Sequence, residues 1–389
     1  MKRITILGNN SGRNAGDMAI LGNQLRDITD LYDGLEFLVT TTNPKYIDET
    51  FGHFNVKPVS MQPWHGCVKN FGWPLYRAMT DTDLILICDN ILFDRKFYNP
   101  LFNNLSSIAL FAPAAHKKGI PIVLYNVSVG PIDFPYGKQA LQKVLDVTDL
   151  VVTRDKATLE IFDELDLTYP EPLVHADCAL NTEPPSAAEM RKIVEKEGLF
   201  TNPNGTVGFN VNAYIDNWSM AGTYTRKDFC RDVAGAADKV IEDLGVDIVF
   251  FVTQIMDIPV TRQTMEKIRH RDRIKMITNE HYNYEVITGL IKRVELHAGL
   301  RTHPLIFAAA MHTPMIGLTS YPKSAGFLRT MGMEQWQVPL DDLSADRLAG
   351  KIEELWAVRD QVAAELSTRA EAEKNKAKST AKLLEKYLA

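Results

Sequence analysis

Cysteine is scarce in this chain, and what there is of it is scattered. Cys67, Cys88, Cys178 and Cys230 are the only four in 389 residues. They form no C-x-x-C pair and no Cys/His spacing of a zinc site, which argues against a disulfide framework or a structural metal and for a reducing compartment. Long apolar runs are lacking too. The start, MKRITILGNN, has no signal-peptide core, and no later stretch supplies the ~20 apolar residues that span a bilayer. A cytoplasmic protein is expected, and a lipid-linked substrate would be met at the inner face of the membrane. A basic excess is also missing. With 43 Lys and Arg against 49 Asp and Glu the formal charge is -6, so no stripe of cations awaits a nucleic acid. The one basic run, RHRDRIK from Arg269, is interrupted by Asp272 and reads as a solvated helix end. Neither G-x-G-x-x-G nor a Walker loop occurs, which leaves out the usual dinucleotide and ATP signatures.

What is present is alternation. Short β-branched apolar runs (RITIL, LEFLVTT, DLILIC, IPIVLYNVSV and DLVVT, then TVGFNVN, VDIVFFVT, RIKMIT, VELHAGL and PMIGLTS) are each followed by a loop and a helical pattern, the signature of parallel sheets covered by helices. The pattern breaks at CALNTEPPSAAEM, where prolines precede a fresh amphipathic helix. An α/β protein of two Rossmann-like domains facing across a cleft is expected, with domains at residues 1–183 and 184–343. Residues 344–389, rich in Ala, Glu, Lys and Leu, predict a long C-terminal helix, which either crosses back onto the first domain or serves an oligomer contact.

Ligands of open α/β sheets collect at the carboxyl ends of strands, so the junctions there carry the candidates. ILGNNSGRNAGDMAIL offers a turn-permitting glycine loop and the amides of Asn9, Asn10 and Asn14 before a helix beginning near Asp17. It suits a sugar or an anion, or is a tight turn with Asp17 as the helix cap. LILICDN ends its apolar run at Asp89 and Asn90, a pair able to orient hydroxyls or to cap a turn. In HAGLRTHPLIFAAAMHTP, Pro304 sits where the first turn of a helix tolerates proline, which puts Arg301 and His303 at a helix N-terminus. A guanidinium beside unpaired backbone N–H groups suits a carboxylate or phosphate. The adjoining apolar helix offers Arg301 no acid, so an external anion is its expected partner. Lys323, after Pro322 one unit later, adds a second cation to the same crevice.

These segments, with VGPI, VVTRDKATLEIFDEL, HADCAL and GLRTHPLIFAAAMHTPMIGLTSYPKSAGFLRTMGM, make the chain resemble the polysaccharide pyruvyl transferases over most of its length. The R-x-H before an apolar helix, and the Tyr and Lys after the next strand, are matched by Arg301, His303, Tyr321 and Lys323. The resemblance implies a fold like that of GT-B glycosyltransferases. It also implies phosphoenolpyruvate as donor and no separate cofactor, a sugar hydroxyl pair as acceptor on the side of the first domain, and a pyruvate ketal as product. In that scheme Arg301, Lys323 and Tyr321 hold the donor and His303 is the acid; the chemistry separately calls for a carboxylate to take hydroxyl protons, for which Asp17 is the candidate. Asn14, Arg154, Asp155 and Asp177 match further family positions. One departure stands out: family members carry a glycine triplet after the DLILI-type strand, whereas here the chain reads CDNILFD and keeps only the later Asp94. Side chains therefore stand where backbone would approach a ligand, which leaves the acceptor open. Two alternatives stay open with it: a nucleotide-sugar glycosyltransferase on the same fold, and a member that binds ligand without turnover.

Overall fold

A computed structural model of the chain describes all residues except 62–71, 95–102, 214, 216–223, 320–321 and 389. It divides into two compact units: Met1–Gly12 with Ile20–Cys178 and Asn375–Ala389, and Arg13–Ala19 with Ala179–Lys374. The main boundary thus falls before residue 183. The terminal helical stretch is not a third segment, because its last residues belong with the first unit and the rest with the second.

The first unit runs β1 (Lys2–Leu7), α1 (Ala15–Thr29), β2 (Leu35–Thr41), α2 (Pro44–Phe51), β3 (Val56–Ser60), α3 (Trp73–Thr80), β4 (Leu84–Leu92), α4 (Asn104–Lys117), β5 (Ile122–Val129), α5 (Pro135–Leu145), β6 (Leu150–Thr153), α6 (Ala157–Glu164) and β7 (Pro172–Val174). The sheet order is β3-β2-β1-β4-β5-β6-β7, all parallel. Burial on both faces is what turns these strands into continuous apolar runs; every residue of β5 is buried. Chain order reverses between β1 and β4, where Ile4 pairs with Phe37 on one side and Leu84 on the other. A ligand crevice is expected at that switch point.

The second unit runs α7 (Ala187–Glu197), β8 (Thr206–Asn210), α8 (Arg226–Leu244), β9 (Asp247–Val252), α9 (Ile258–Met265), β10 (Ile274–Thr278), α10 (Tyr284–Ile291), β11 (Leu296–Gly299), α11 (Thr302–Ala310), β12 (Met315–Thr319), α12 (Pro322–Thr330), β13 (Gln337–Pro339) and most of α13 (Ala345–Ser379), whose last residues, with the short α14 (Glu385–Leu388), fall to the first unit. Its order, β10-β9-β8-β11-β12-β13, is again parallel and reverses between β8 and β11. The helix following the proline break begins as its sequence predicts, with Ser186 Oγ accepting from Glu189 N and Gly198 in the left-handed region at its end. The run RHRDRIK is not a helix end. Arg271–Arg273 form a 3-10 turn leading into β10, with Arg269 on Asp238 and Glu242 and Arg273 on Asp247. No helix among the described residues is long and apolar enough to cross a membrane.

Candidate functional site

The switch point of the second unit gathers most of the predicted donor-side residues. Helix α11 starts at Thr302 with Arg301 as its N-cap residue, and Pro304 falls within its first turn, as the sequence predicts. Arg301 N donates to Asn210 Oδ1 at 3.1 Å, and Asn210 Nδ2 donates to Phe251 O at 2.7 Å, which fixes the loop after β11 against the ends of β8 and β9. The expectation that Arg301 has no acid is overturned. Its guanidinium makes a two-point pair with Asp257, Nε to Oδ2 and Nη2 to Oδ1, the latter at 2.8 Å. The Asp257 side chain is wholly buried and that of Arg301 is 15% exposed. The acid arrives from the crossover after β9, far away in sequence, where the α11 pattern gives no hint of it.

Arg13–Ala19, the end of the loop before α1 and the start of that helix, belongs to this same unit. Asn14 forms an antiparallel bridge with Gln254, Ala15 N donates to Thr253 O at 2.8 Å, and Ile255 N donates to Arg13 O at 3.1 Å. Asn279 Nδ2 adds a bond to Arg13 O at 2.9 Å. Arg13–Ala15 are therefore laid along the carboxyl ends of β9 and β10. Helix α1 begins at Ala15, earlier than predicted, and Asn14 rather than Asp17 caps it: its Oδ1 accepts from Gly16 N at 2.9 Å. Asn14 Nδ2 also donates to Asp17 Oδ1 at 2.8 Å, and Asp17 is 5% exposed. Gly16 lies against the half-buried His303 ring so closely that a Cβ would overlap His303 Cγ. Asp17 is the residue next to Gly16 on the same first turn of α1. Asn10 has no part in this. It sits in the first unit, donating to Thr40 O and accepting from the Thr41 hydroxyl.

Lys323 lies in the first turn of α12. Its neighbour Ser324 shares a hydrogen bond with Thr302 at 3.0 Å, so the first turns of α11 and α12 adjoin. Tyr321 and the side chain of Lys323 lie outside what the structure describes.

A second cluster in the first unit joins Asp89, within β4, to Arg154 and Asp177, just past β6 and β7. Arg154 Nη1 donates to Asp177 Oδ2 at 2.8 Å and its Nη2 lies 3.7 Å from Asp89 Oδ1, all three side chains being 10% exposed or less. Burial alone would lower the Arg154 pKa, but the carboxylates of Asp177, Asp89 and Asp155 outweigh it and raise the value. Asp155 accepts from both Thr158 N and Thr158 Oγ1 at 2.8 Å and so serves to start α6. The predicted strand end at Asp89 and Asn90 is incorrect: β4 continues to Leu92. It does so through register shifts on either side of Asp89, whose φ of 60° is left-handed. A glycine adopts that conformation without strain, so the missing triplet is felt as backbone geometry as well as side-chain bulk. Asp94 is structural, its Oδ2 accepting from Asp133 N and Phe134 N ahead of α5.

The model of the polysaccharide pyruvyl transferase family matches residues 14–321. The chain belongs to this family. No curated protein matches its sequence. Solved structures of similar fold include Anabaena HepE in complex with UDP-glucose, at 15% identity over 100% of this chain and 99% of that one, TM-score 0.65. Another is UDP-GlcNAc 2-epimerase from Neisseria meningitidis bound to UDP-GlcNAc, at 10% identity over 100% and 99%, TM-score 0.66. A third is E. coli ADP-heptose LPS heptosyltransferase II, at 14% identity over 92% and 100%, TM-score 0.51. At such identities the likeness is one of fold, and that fold is GT-B: two parallel-sheet α/β units with a long C-terminal helix.

For this pyruvyl transferase family member, sequence reasoning missed Asp257, Asn210 and Gly16. Asn210 carries a weak signal as the polar residue ending the apolar run TVGFN. Gly16 has one in retrospect, as the small residue beside Asn14 and Asp17. Asp257 has none, because its partner is 44 positions away.

Proposed function

We propose that the protein transfers the pyruvyl group of phosphoenolpyruvate to two hydroxyls of a sugar in a polysaccharide or its precursor, forming a pyruvate ketal and releasing phosphate. The observation that carries this reading is the arrangement of Arg301 and His303 on the first turn of α11 at the switch point of a family member's second unit. In this reading His303 gives a proton to the methylene carbon of the donor, leaving an oxocarbenium-like centre at the neighbouring carbon. The first hydroxyl adds there, phosphate departs, and the second hydroxyl closes the ketal. Asp17 takes a hydroxyl proton, and Arg301, Lys323 and the α11 N-terminus stabilise the donor's anionic groups. Donor binding is assigned to the second unit and acceptor recognition, through Asp89, Asn90 and the Arg154 cluster, to the first.

Thermal unfolding with phosphoenolpyruvate, repeated with UDP- and GDP-sugars, tests the donor. A ligand at ~100 times its Kd adds about 2.7 kcal/mol. Phosphoenolpyruvate is expected to stabilise the protein, to fail on Arg301→Ala, and to stabilise His303→Ala while turnover is lost. Structures of like fold carry UDP-sugars, so stabilisation by a nucleotide sugar alone replaces this reading with glycosyl transfer. Donor stabilisation without turnover on any acceptor marks a binding protein.

A further inference from the structure

We infer that Asp257 is a positioning residue for Arg301, setting which edge of the guanidinium meets the ligand; this rests on the donor site proposed above. A guanidinium has two edges able to give parallel N–H bonds to a two-oxygen anion, Nε with Nη2 and Nη1 with Nη2. Asp257 takes the first. Its carboxylate is fixed in turn, because Oδ1 also accepts from Ala213 N at 2.8 Å, in the loop after β8. The Arg301 backbone is fixed independently through Asn210 Oδ1. Both ends of the arginine are thus held before any ligand arrives, and the Nη1–Nη2 edge is the one left to present.

The pair has opposing consequences for an anion. The Asp257 charge offsets that of Arg301 and weakens long-range attraction, while the fixed fork spares the ligand the ordering of a long side chain. A planar carboxylate or a phosphate edge, which takes two parallel bonds, gains from the second effect. A simple point anion feels mainly the first. The site is therefore selective for the shape of the anion as well as its sign. The same carboxylate joins the loops after β8, β9 and β11, so the orientation of the fork is coupled to the arrangement of the whole switch point.

The test has a ligand-independent arm and a ligand-dependent one. Phenylglyoxal labelling of the intact protein, mapped by peptide mass spectrometry, reads how firmly Arg301 is held. Asp257→Asn preserves shape but opposes an amide donor to Nε, and is expected to raise Arg301 labelling several-fold while the other arginines label as before. It is also expected to weaken phosphoenolpyruvate binding about tenfold or more, with no further loss when added to Arg301→Ala. Unchanged labelling, or binding as tight as or tighter than that of the unaltered protein, overturns the inference. If Asp257→Asn does not fold, Arg301→Lys keeps the charge and loses the fork: binding lost as in Arg301→Ala is expected, and retained binding overturns it. If the unaltered protein does not bind phosphoenolpyruvate, the donor reading fails, and the labelling still decides the role of Asp257.

Discussion

Arg301 is a cation whose acid lies on another loop, and a residue's neighbours in sequence describe its neighbours in space only within one element. Within α11 the reading works: the proline and the apolar run fix the helix start. Across elements it does not, and Gly16 is the sharpest case. A Cβ at this position would enter the His303 ring, whereas one at Gly350 would meet nothing within 4 Å. Gly16→Ala is accordingly expected to cost about 1–3 kcal/mol, the range for overpacking, and to reduce turnover beyond what the folded fraction explains, because His303 must move. Gly350→Ala should be neutral or slightly stabilising, as alanine is favoured in a helix. Chemical denaturation of both variants, with an activity or donor-binding assay, measures this. Equal effects from the two substitutions would mean that His303 is not confined by Gly16.

At the scale of elements, the strands legible in the sequence are those buried on both faces, where only apolar side chains fit. β3, β7 and β13 were not legible. β3 contains Pro58, β7 and β13 are three residues long, and each lies at the edge of its sheet, so one apolar face or less marks it. The loop before α1 was legible as a ligand-type turn, but its docking on β9 depends on residues some 240 positions away. β11 holds a further surprise in His297, which is fully buried beside the Phe251 ring and has no hydrogen-bond partner at either ring nitrogen. Burial pushes its pKa down to about 3. In the unfolded chain the group titrates near ~6.5. Above that value both states are neutral and the residue contributes no pH dependence. As pH falls below it, only the unfolded state takes up the proton, so stability is lost by about 1.4 kcal/mol per pH unit until the folded pKa is reached. His297→Leu should remove this term, flattening the stability profile by roughly 2 kcal/mol at pH 5 relative to pH 7. Denaturant melts of both proteins across that range decide it, and parallel profiles would exclude His297 as the source.

For the whole molecule, the chain does not finish in the unit where its long helix begins. Residues Asn375–Ala389 belong with the first unit, where Thr380 Oγ1 lies 2.8 Å from His175 Nδ1, Ala381 O accepts from the Tyr32 hydroxyl and Tyr387 O accepts from Lys2 Nζ. Ala377, Ala381 and Leu384 are buried there. Their burial is worth roughly 3 kcal/mol, at about 0.8 per methyl or methylene and 1.5 or more for a leucine. This is a large share of a domain's net stability. The first unit, though its sheet is complete without the last fifteen positions, is therefore expected to depend on them. Deleting 375–389 should split thermal unfolding into two calorimetric transitions, an early one for the first unit and a later one for the second, with donor stabilisation confined to the later transition. Leu384→Ala, leaving the hydrogen bonds in place, should shift the same early transition by a smaller amount. A single transition unchanged by the deletion would mean that the terminal segment adds nothing to the first unit. If the early transition instead responded to phosphoenolpyruvate, donor binding would have to be moved out of the second unit.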